Sequence, residues 1–414
     1  MNRPRLGVYI HPLCERIFSV LIQPKIRGFI CTTAHPAGCL AHVSEQIDYV
    51  ASRPPFRGPK KVLVIGSSTG YGLASRIAAT FGAGADTIGV CFEKPASDNR
   101  TATAGWYNSA AFEQAARQAG RMAKTVNGDA FSHAVKGRVI DLIREHVGQV
   151  DLVVYSLASP RRVHPDSGET FASSIKPIGR PYMNKTLNFH SGEVSEITVP
   201  AATEDEIRQT VAVMGGDDWR RWIDALEQAH ALAPGARTIA YSYIGPTVTH
   251  PIYREGTIGR AKDDLEQTAR QLNERLKESG GGAFISVNKA LVTQSSSSIP
   301  VVPLYISLLY KVMKERGLHE GCAEQMYRLF ATQLYAENPI VLDDRNRIRL
   351  DDWELRDDVQ HEVAALWEAA ATENIEQIAD LTGYRHEFLR LFGFDMPGVD
   401  YAQDVNPDIL LGDE

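Results

Sequence analysis

The chain has 414 residues, 43% of them hydrophobic and 23% charged, and a formal net charge of −7. That length suits one large α/β domain or two smaller ones, and the composition is that of an ordinary globular protein with enough apolar residues for a core. The acidic balance argues against a nucleic-acid binder, which needs a positive footprint, but leaves room for a local basic patch around a phosphate-bearing ligand. The five cysteines, Cys14, Cys31, Cys39, Cys91 and Cys322, form no C-x-x-C pair. An odd, unpaired set points away from a disulfide framework and towards a reducing cytosol. No apolar run approaches membrane-spanning length. Arg3 and Arg5 stand near the start, but Pro4, Pro12, Glu15 and Arg16 interrupt the apolar residues after them, so the segment lacks the form of a secretory signal.

Alternation of strand and helix begins at Lys61. Lys61 to Ile65 is a short apolar strand running into glycine, and Leu73, Ile77 and Phe81 then recur at helical spacing. Asp86 to Phe92 reads as a second strand, Ala110 to Lys124 as a helix and Thr125–Val126 as a short third strand. Ser132 to His146 is a helix, followed by a fourth apolar strand from Leu152 to Leu157. Strands apolar throughout, separated by helices, predict a doubly wound parallel sheet of Rossmann type. The pattern breaks at Pro160. Residues 160 to 200 hold Pro, Gly and short β-like pieces such as Lys185 to Phe189, and Glu204 to Leu232 reads as one helix with Trp219, Trp222 and Leu226 inward. We read about 160–235 as an insertion. Strands resume at Thr238–Ile244 and Ala283–Val287, on either side of a helix from about Thr257 to Glu278, and the last hundred residues are mostly helical.

Gly66-x-x-x-Gly70-x-Gly72 lies between the first strand and its helix. Glycines there allow a tight turn, close approach of a pyrophosphate, and packing of helix on strand, while the helix start offers free N–H groups and a positive dipole. A plain tight turn is the bland alternative, and the flanking strand and helix favour the nucleotide. Glu93, at the end of the second strand, is placed to accept hydrogen bonds from the adenosine ribose and to repel a 2′-phosphate, which favours NADH. Its bland reading is an exposed charge, and Lys94 beside it softens the repulsion. Asp129 and Ala130 follow the third strand, where adenine would lie, and Leu157 and Ala158 end the fourth, where the cofactor chain would pass.

Reductases of this general fold often pair a tyrosine, which donates to a developing oxyanion, with a lysine at the nicotinamide ribose. Tyr182 and Lys185 are too close for the usual spacing. Tyr253 and Lys262 are nine positions apart, about 2.5 turns of one helix and on opposite faces. They converge only if Tyr253 lies on a loop before the helix, which Pro251 and Gly256 favour. From spacing alone, a structural tyrosine and a solvated lysine remain the simpler readings.

The motif Gly66-Ser67-Ser68-Thr69-Gly70-Tyr71-Gly72, the Tyr253-x8-Lys262 pair and Leu291-Val292-Thr293 together resemble the FabV family of trans-2-enoyl-CoA and enoyl-acyl-carrier-protein reductases. The segments Arg27–Cys31, Ala34–Cys39 and Ile299–Ser307 match it too. The likeness runs from about Ile22 to the C-terminus, which makes residues 1–21 an upstream extension and 22–414 a single Rossmann-type domain. The long tyrosine–lysine spacing separates this family from shorter-spaced enoyl reductases. The resemblance implies NADH-dependent reduction of enoyl thioesters in fatty acid biosynthesis, in a cytoplasmic monomer. It implies Tyr253 and Lys262 as the catalytic pair and Tyr243 as a substrate contact. It implies cofactor binding by Gly66, Ser67, Ser68, Thr69, Gly70, Tyr71, Phe92, Glu93, Asp129, Ala130, Leu157, Ala158, Lys262, Leu291, Val292 and Thr293.

Two other functions fit the same residues: a short-chain-type carbonyl reductase using Tyr253 and Lys262, and a non-catalytic NADH sensor. The apolar segment Ile299 to Leu309 suits an acyl-chain wall or a core helix equally. Cys31, His35, Cys39 and His42 lack the tight pairing of a zinc site, so no metal is expected there, and a packed N-terminal segment is the better account.

Overall fold

A computed structural model describes residues 19–97 and 100–412. Cys14 and residues 1–18 of the expected extension lie outside the described residues. Seven strands form the main sheet: β1 (Lys61–Ile65), β2 (Asp86–Cys91), β3 (Ala123–Asn127), β4 (Val150–Tyr155), β5 (Leu232–Ser242), β6 (Gly282–Val287) and β7 (Arg347–Arg349). Their order is β7-β6-β5-β4-β1-β2-β3, and every neighbouring pair is parallel. The winding therefore reverses between β1 and β4, which opens a crevice at the carboxyl ends of those two strands.

The helices are α1 (Pro36–Ser52), α2 (Gly70–Ile77), α3 (Ala104–Gln118), α4 (His133–Leu142), α5 (Glu204–Met214), α6 (Asp217–Gln228), α7 (Thr257–Lys277), α8 (Val302–Glu315), α9 (Cys322–Arg328), α10 (Asp357–Ala369), α11 (Ile375–Ile378) and α12 (Leu381–Arg390). The strands are apolar on both faces because helices cover both. Leu63, Ile65 and Val153 bury against α4, α6 and α7. Val62, Val64, Leu152 and Val154 bury against α2, α9 and the turn that extends α9. Complete burial of side chains this size contributes roughly 1.5–3 kcal/mol each.

A third layer caps the carboxyl edge. The α8 residues Leu304, Tyr305, Ile306, Leu308 and Leu309 are fully buried, among Val359, Val363 and Trp367 of α10, Tyr384 and Phe388 of α12, and Leu187 and Phe189 of a hairpin. That hairpin pairs Tyr182–Asn188 with Glu193–Val199, in the stretch of chain that links β4 to β5. The Ile299–Leu309 segment is thus buried in the cap, with its helical part starting at Val302. Near the N-terminus, Val20 bridges Val405.

Two expected elements differ. The helix foreseen from Glu204 to Leu232 is two helices, α5 and α6, broken at Gly215–Gly216. A Cβ on Gly216 would stand 2.0 Å from the Thr268 hydroxyl oxygen, and its N–H donates to Asp264 at 2.8 Å, so the chain turns where it presses on α7. Trp219 and Trp222 are fully buried as foreseen, and β5 starts at Leu232, six residues before the expected strand. The helix foreseen from Ala110 to Lys124 runs instead from Ala104 to Gln118, because Gly120 turns with φ +68° and releases Ala123 into β3. No helix among the described residues is long and apolar enough to cross a membrane.

Candidate functional site

The crevice begins at the glycine loop. Gly66 has φ +85°, and a Cβ there would stand 2.3 Å from the Ser156 carbonyl oxygen. Only glycine lets the end of β1 pass so close to the end of β4. A Cβ on Gly72 would stand 1.8 Å from the Gly66 carbonyl oxygen, so the first turn of α2 folds onto its own approach. Ser67 is fully buried and its hydroxyl donates to Val90 O at 3.1 Å, which pins the loop to β2. Thr69 caps α2 without a side-chain bond, and the helix ladder opens with Leu73 N–H donating to Thr69 O at 3.2 Å. Gly66 and Ser67 N–H both donate to Val90 O, so the N–H groups of the first turn, ahead of Leu73, are the ones available to an anion. This cradle fits the pyrophosphate of a dinucleotide.

Glu93 is held from every side. One carboxylate oxygen accepts from the Ser68 hydroxyl at 2.6 Å and the other from Thr103 Oγ1 at 2.5 Å. Asn127 grips its backbone, accepting from Glu93 N–H at 2.7 Å and donating to Glu93 O at 2.9 Å. Gly105 leaves room for the carboxylate, since a Cβ there would be 2.1 Å from Oε1. Phe92 stands beside it, 79% exposed. Asp129 caps its own turn by accepting from Phe131 N–H at 3.0 Å, and Ala130 is buried. Gly128 N–H donates to Cys91 O at 2.8 Å, which draws the 128–130 turn towards Glu93.

Leu157 lies against Gly66, whose added Cβ would be 3.1 Å from Leu157 N, and Ala158 continues to the surface. A Cβ on Gly70 would stand 4.0 Å from the Thr293 methyl group, in ordinary contact. Leu291 and Val292 are buried, and Val292 N–H donates to the Tyr310 hydroxyl at 3.0 Å. The Tyr71 hydroxyl ties the loop to the same strand end, donating to Lys289 O at 2.8 Å. Residues scattered from 66 to 293 therefore meet at one crevice.

The tyrosine and lysine come from the turn after β5 and from α7. Tyr253 lies in that turn, its N–H donating to Thr249 O at 3.0 Å. Gly259 explains how the turn folds back onto the helix: a Cβ there would meet Arg254 O at 1.8 Å and Tyr253 O at 2.9 Å. The Tyr253 ring meets the Tyr243 ring edge to face, centroids 5.0 Å apart. Burial pushes the Tyr253 phenol up to about 12. Lys262 Nζ donates to Tyr241 O at 2.9 Å, at the end of β5. Burial lowers its ammonium to about 8, partly offset by Glu266.

Sequence reasoning missed Asn127, Thr103, Gly105 and Gly259, which have no motif of their own. It also missed Glu354, a fully buried carboxylate that accepts from the Tyr243 hydroxyl at 3.2 Å and the Tyr305 hydroxyl at 2.7 Å. The cysteine–histidine group from 31 to 42 has structural employment. His35 caps α1 by accepting from Gly38 N–H at 3.2 Å, and Cys39 is buried beside Gly393.

Residues 100–335 match the family model described as the trans-2-enoyl-CoA reductase catalytic region, and residues 21–98 match its NAD(P)H binding domain. An enoyl-[acyl-carrier-protein] reductase [NADH] of Flavobacterium johnsoniae is 59% identical, covering 94% of this chain and 98% of its own. A trans-2-enoyl-CoA reductase [NADH] of Ruminiclostridium cellulolyticum is 57% identical, covering 95% and 99%. The crystal structure of Clostridium acetobutulicum trans-2-enoyl-CoA reductase in complex with NADH superposes with a TM-score of 0.92 at 46% identity, covering 94% and 98%.

Residues 342–405 match a model described as an enoyl reductase FAD binding domain, but this segment does not fit a flavin. The residues before α10, α11 and α12 are Arg356, Asn374 and Asp380 rather than a glycine turn. Asp357 and Asp358 occupy the first turn of α10, and the Asp380 carboxylate caps α12 itself, accepting from Gly383 N–H at 2.9 Å. Asp358 is paired with Arg316 and Arg356, and Asp380 with Lys314, so these helix starts are already occupied by the chain's own carboxylates. The glycine cradle, the held Glu93 and the Tyr253–Lys262 arrangement all lie within the two segments that the reductase models match, and the chain belongs to the trans-2-enoyl-CoA reductase family.

Proposed function

We propose that the crevice reduces the trans-2 double bond of an enoyl thioester, with Tyr253 and Lys262 as its working pair. The chain is an NADH-dependent oxidoreductase acting on a CH–CH bond, and fatty acid biosynthesis is its setting. The cradle from Gly66 to Tyr71 holds the pyrophosphate, Glu93 takes the adenosine ribose with Phe92 beside it, and Asp129 and Ala130 border the adenine. Leu157, Ala158 and Leu291 to Thr293 line the path to the nicotinamide.

When bound, NADH would supply a hydride for C3 of the enoyl group, and a proton taken up at C2 would complete the saturated acyl thioester. Negative charge then gathers on the thioester oxygen, and Tyr253 donates its hydroxyl to that oxygen. Its phenol, held near 12 by burial, keeps its proton at neutral pH. It also makes no hydrogen bond to another described residue, so it is free to serve substrate. A donor held in place for the developing charge lowers the barrier without reorganising. Lys262 uses one N–H on Tyr241 O and offers the others to the nicotinamide ribose. Tyr243 stands against Tyr253 as the substrate contact.

The observation that carries this reading is the unpartnered Tyr253 hydroxyl on a turn folded back to the Lys262 end of β5. NADH oxidation with crotonyl-CoA tests it. Tyr253→Phe should lower turnover on the order of a hundredfold or more while NADH still binds, and near-normal turnover would overturn the assignment. We further infer a cytoplasmic monomer that meets no nucleic acid, with residues 22–414 forming one Rossmann-type domain. The charge of −7 and the four unpaired cysteines among the described residues support the compartment and the absence of nucleic acid.

A further inference from the structure

Glu354 is a carboxylate with no solvent at all, and a lone buried charge is expensive unless bonded. Its side-chain bonds run to Tyr243, to Tyr305 of the cap and to the backbone just before Leu291. Oε1 accepts from the Tyr243 hydroxyl at 3.2 Å and from the Tyr305 hydroxyl at 2.7 Å. Oε2 accepts from Ala290 N–H at 2.7 Å, one residue before Leu291. Lys289, itself buried, supplies the opposite charge nearby, its ammonium donating to Ala290 O at 2.9 Å and lying 4.9 Å from the Tyr310 ring. Gln360 of α10 steadies the arrangement by donating to Tyr305 Oη at 3.1 Å and Glu354 O at 2.6 Å.

Tyr243 is wedged as well. A Cβ on Gly245 would stand 2.6 Å from its hydroxyl oxygen, so the glycine makes space for the tyrosine to reach Glu354. The opposite edge of the Tyr243 contact is the Tyr253 ring. One carboxylate therefore joins the loop after β5, which presents Tyr243, to the loop after β6, which presents Leu291 to Thr293.

We propose that Glu354 is a positioning residue for the reaction: it fixes Tyr243 against Tyr253 and ties the enoyl side of the crevice to its nicotinamide side. This role rests on the catalytic reading of Tyr253 and Tyr243. A carboxylate shared by two loops sets their separation more tightly than packing alone, and small displacements of a reacting pair lower rates steeply.

The test is a double-mutant cycle on the full chain with NADH and crotonyl-CoA, comparing wild type, Glu354→Gln, Tyr243→Phe and the double variant. Glu354→Gln should lower kcat/KM for crotonyl-CoA about tenfold or more, and the double variant should be no worse than Tyr243→Phe alone within about a factor of three. Multiplying effects, or an unchanged kcat/KM in Glu354→Gln, would overturn the proposal. Should Glu354→Gln fail to fold, Tyr305→Phe replaces it in the cycle, because both hydroxyls share Oε1; independent effects there overturn it equally. Tyr253→Phe separates the two levels. An active Tyr253→Phe sinks the catalytic reading itself, whereas an inactive one alongside an additive cycle sinks only the role of Glu354.

Discussion

Lys262 is held where its charge is uncomfortable, and replacing it should make the empty protein more stable while disabling it. Its ammonium drops from the ordinary 10.5 to about 8 because burial removes water from it, and Glu266 restores only part of the loss. A displacement of that size corresponds to about 3 kcal/mol against the charged form, reduced to about 2 kcal/mol by the partial exposure of the side chain. Lys262→Met removes this penalty and gives up one hydrogen bond, to Tyr241 O, worth about 1 kcal/mol. The net expectation is a gain of about 1 kcal/mol in the cofactor-free protein at neutral pH, together with loss of turnover. The pH dependence identifies the cause. Between about 8 and 10.5 the unfolded chain holds this proton and the folded chain has lost it, so wild-type stability rises with pH across that window. The variant lacks the titrating group, and its advantage should fade by about pH 10. Urea denaturation of both proteins without NADH, at neutral and alkaline pH, measures this. A variant less stable than wild type at neutral pH, or an advantage that does not change with pH, would refute the reasoning.

Activity should report the same group with the opposite consequence. In the proposed mechanism protonated Lys262 is the working form and Tyr253 stays protonated up to about 12, so kcat/KM should fall as pH rises through about 8; a profile flat to about pH 10 would remove Lys262 from that role. Glu93→Ala should raise the use of NADPH relative to NADH by roughly tenfold, since a fixed carboxylate near a 2′-phosphate costs about 1–2 kcal/mol in a partly solvated site. An unchanged ratio would mean that Glu93 does not discriminate. Gly72→Ala places a methyl group 1.8 Å from the Gly66 carbonyl oxygen, and backbone cannot yield there without opening the cradle. NADH affinity measured by titration should drop at least about tenfold, with a lower melting temperature; wild-type affinity would show that the loop is not the phosphate site.

The sheet and the glycine loop at its switch point were legible in the chain because their signals are local. Apolar runs of five or six residues, separated by helical periodicity, require a parallel sheet covered on both faces, and Gly66 sits where β1 must hand over to α2. Glu93 was legible for the same reason, standing two residues beyond the end of β2. The misplaced boundaries at Gly120 and Gly215–Gly216 are local too, but glycine in a helical pattern does not announce which way the chain will turn. The proposed tyrosine–lysine pair is different. Tyr253 and Lys262 sit at a spacing that a straight helix would set on opposite faces, and it is Gly259, pressed against the Arg254 and Tyr253 carbonyls, that lets the turn fold back. Glu354 reaches Tyr243 across 111 positions of chain, and Asn127 grips Glu93 across 34. Periodicity and motif spacing report what a residue does within its own element; which buried carboxylate meets which tyrosine is set by how the cap packs on the sheet, and that contact exists only in the folded molecule.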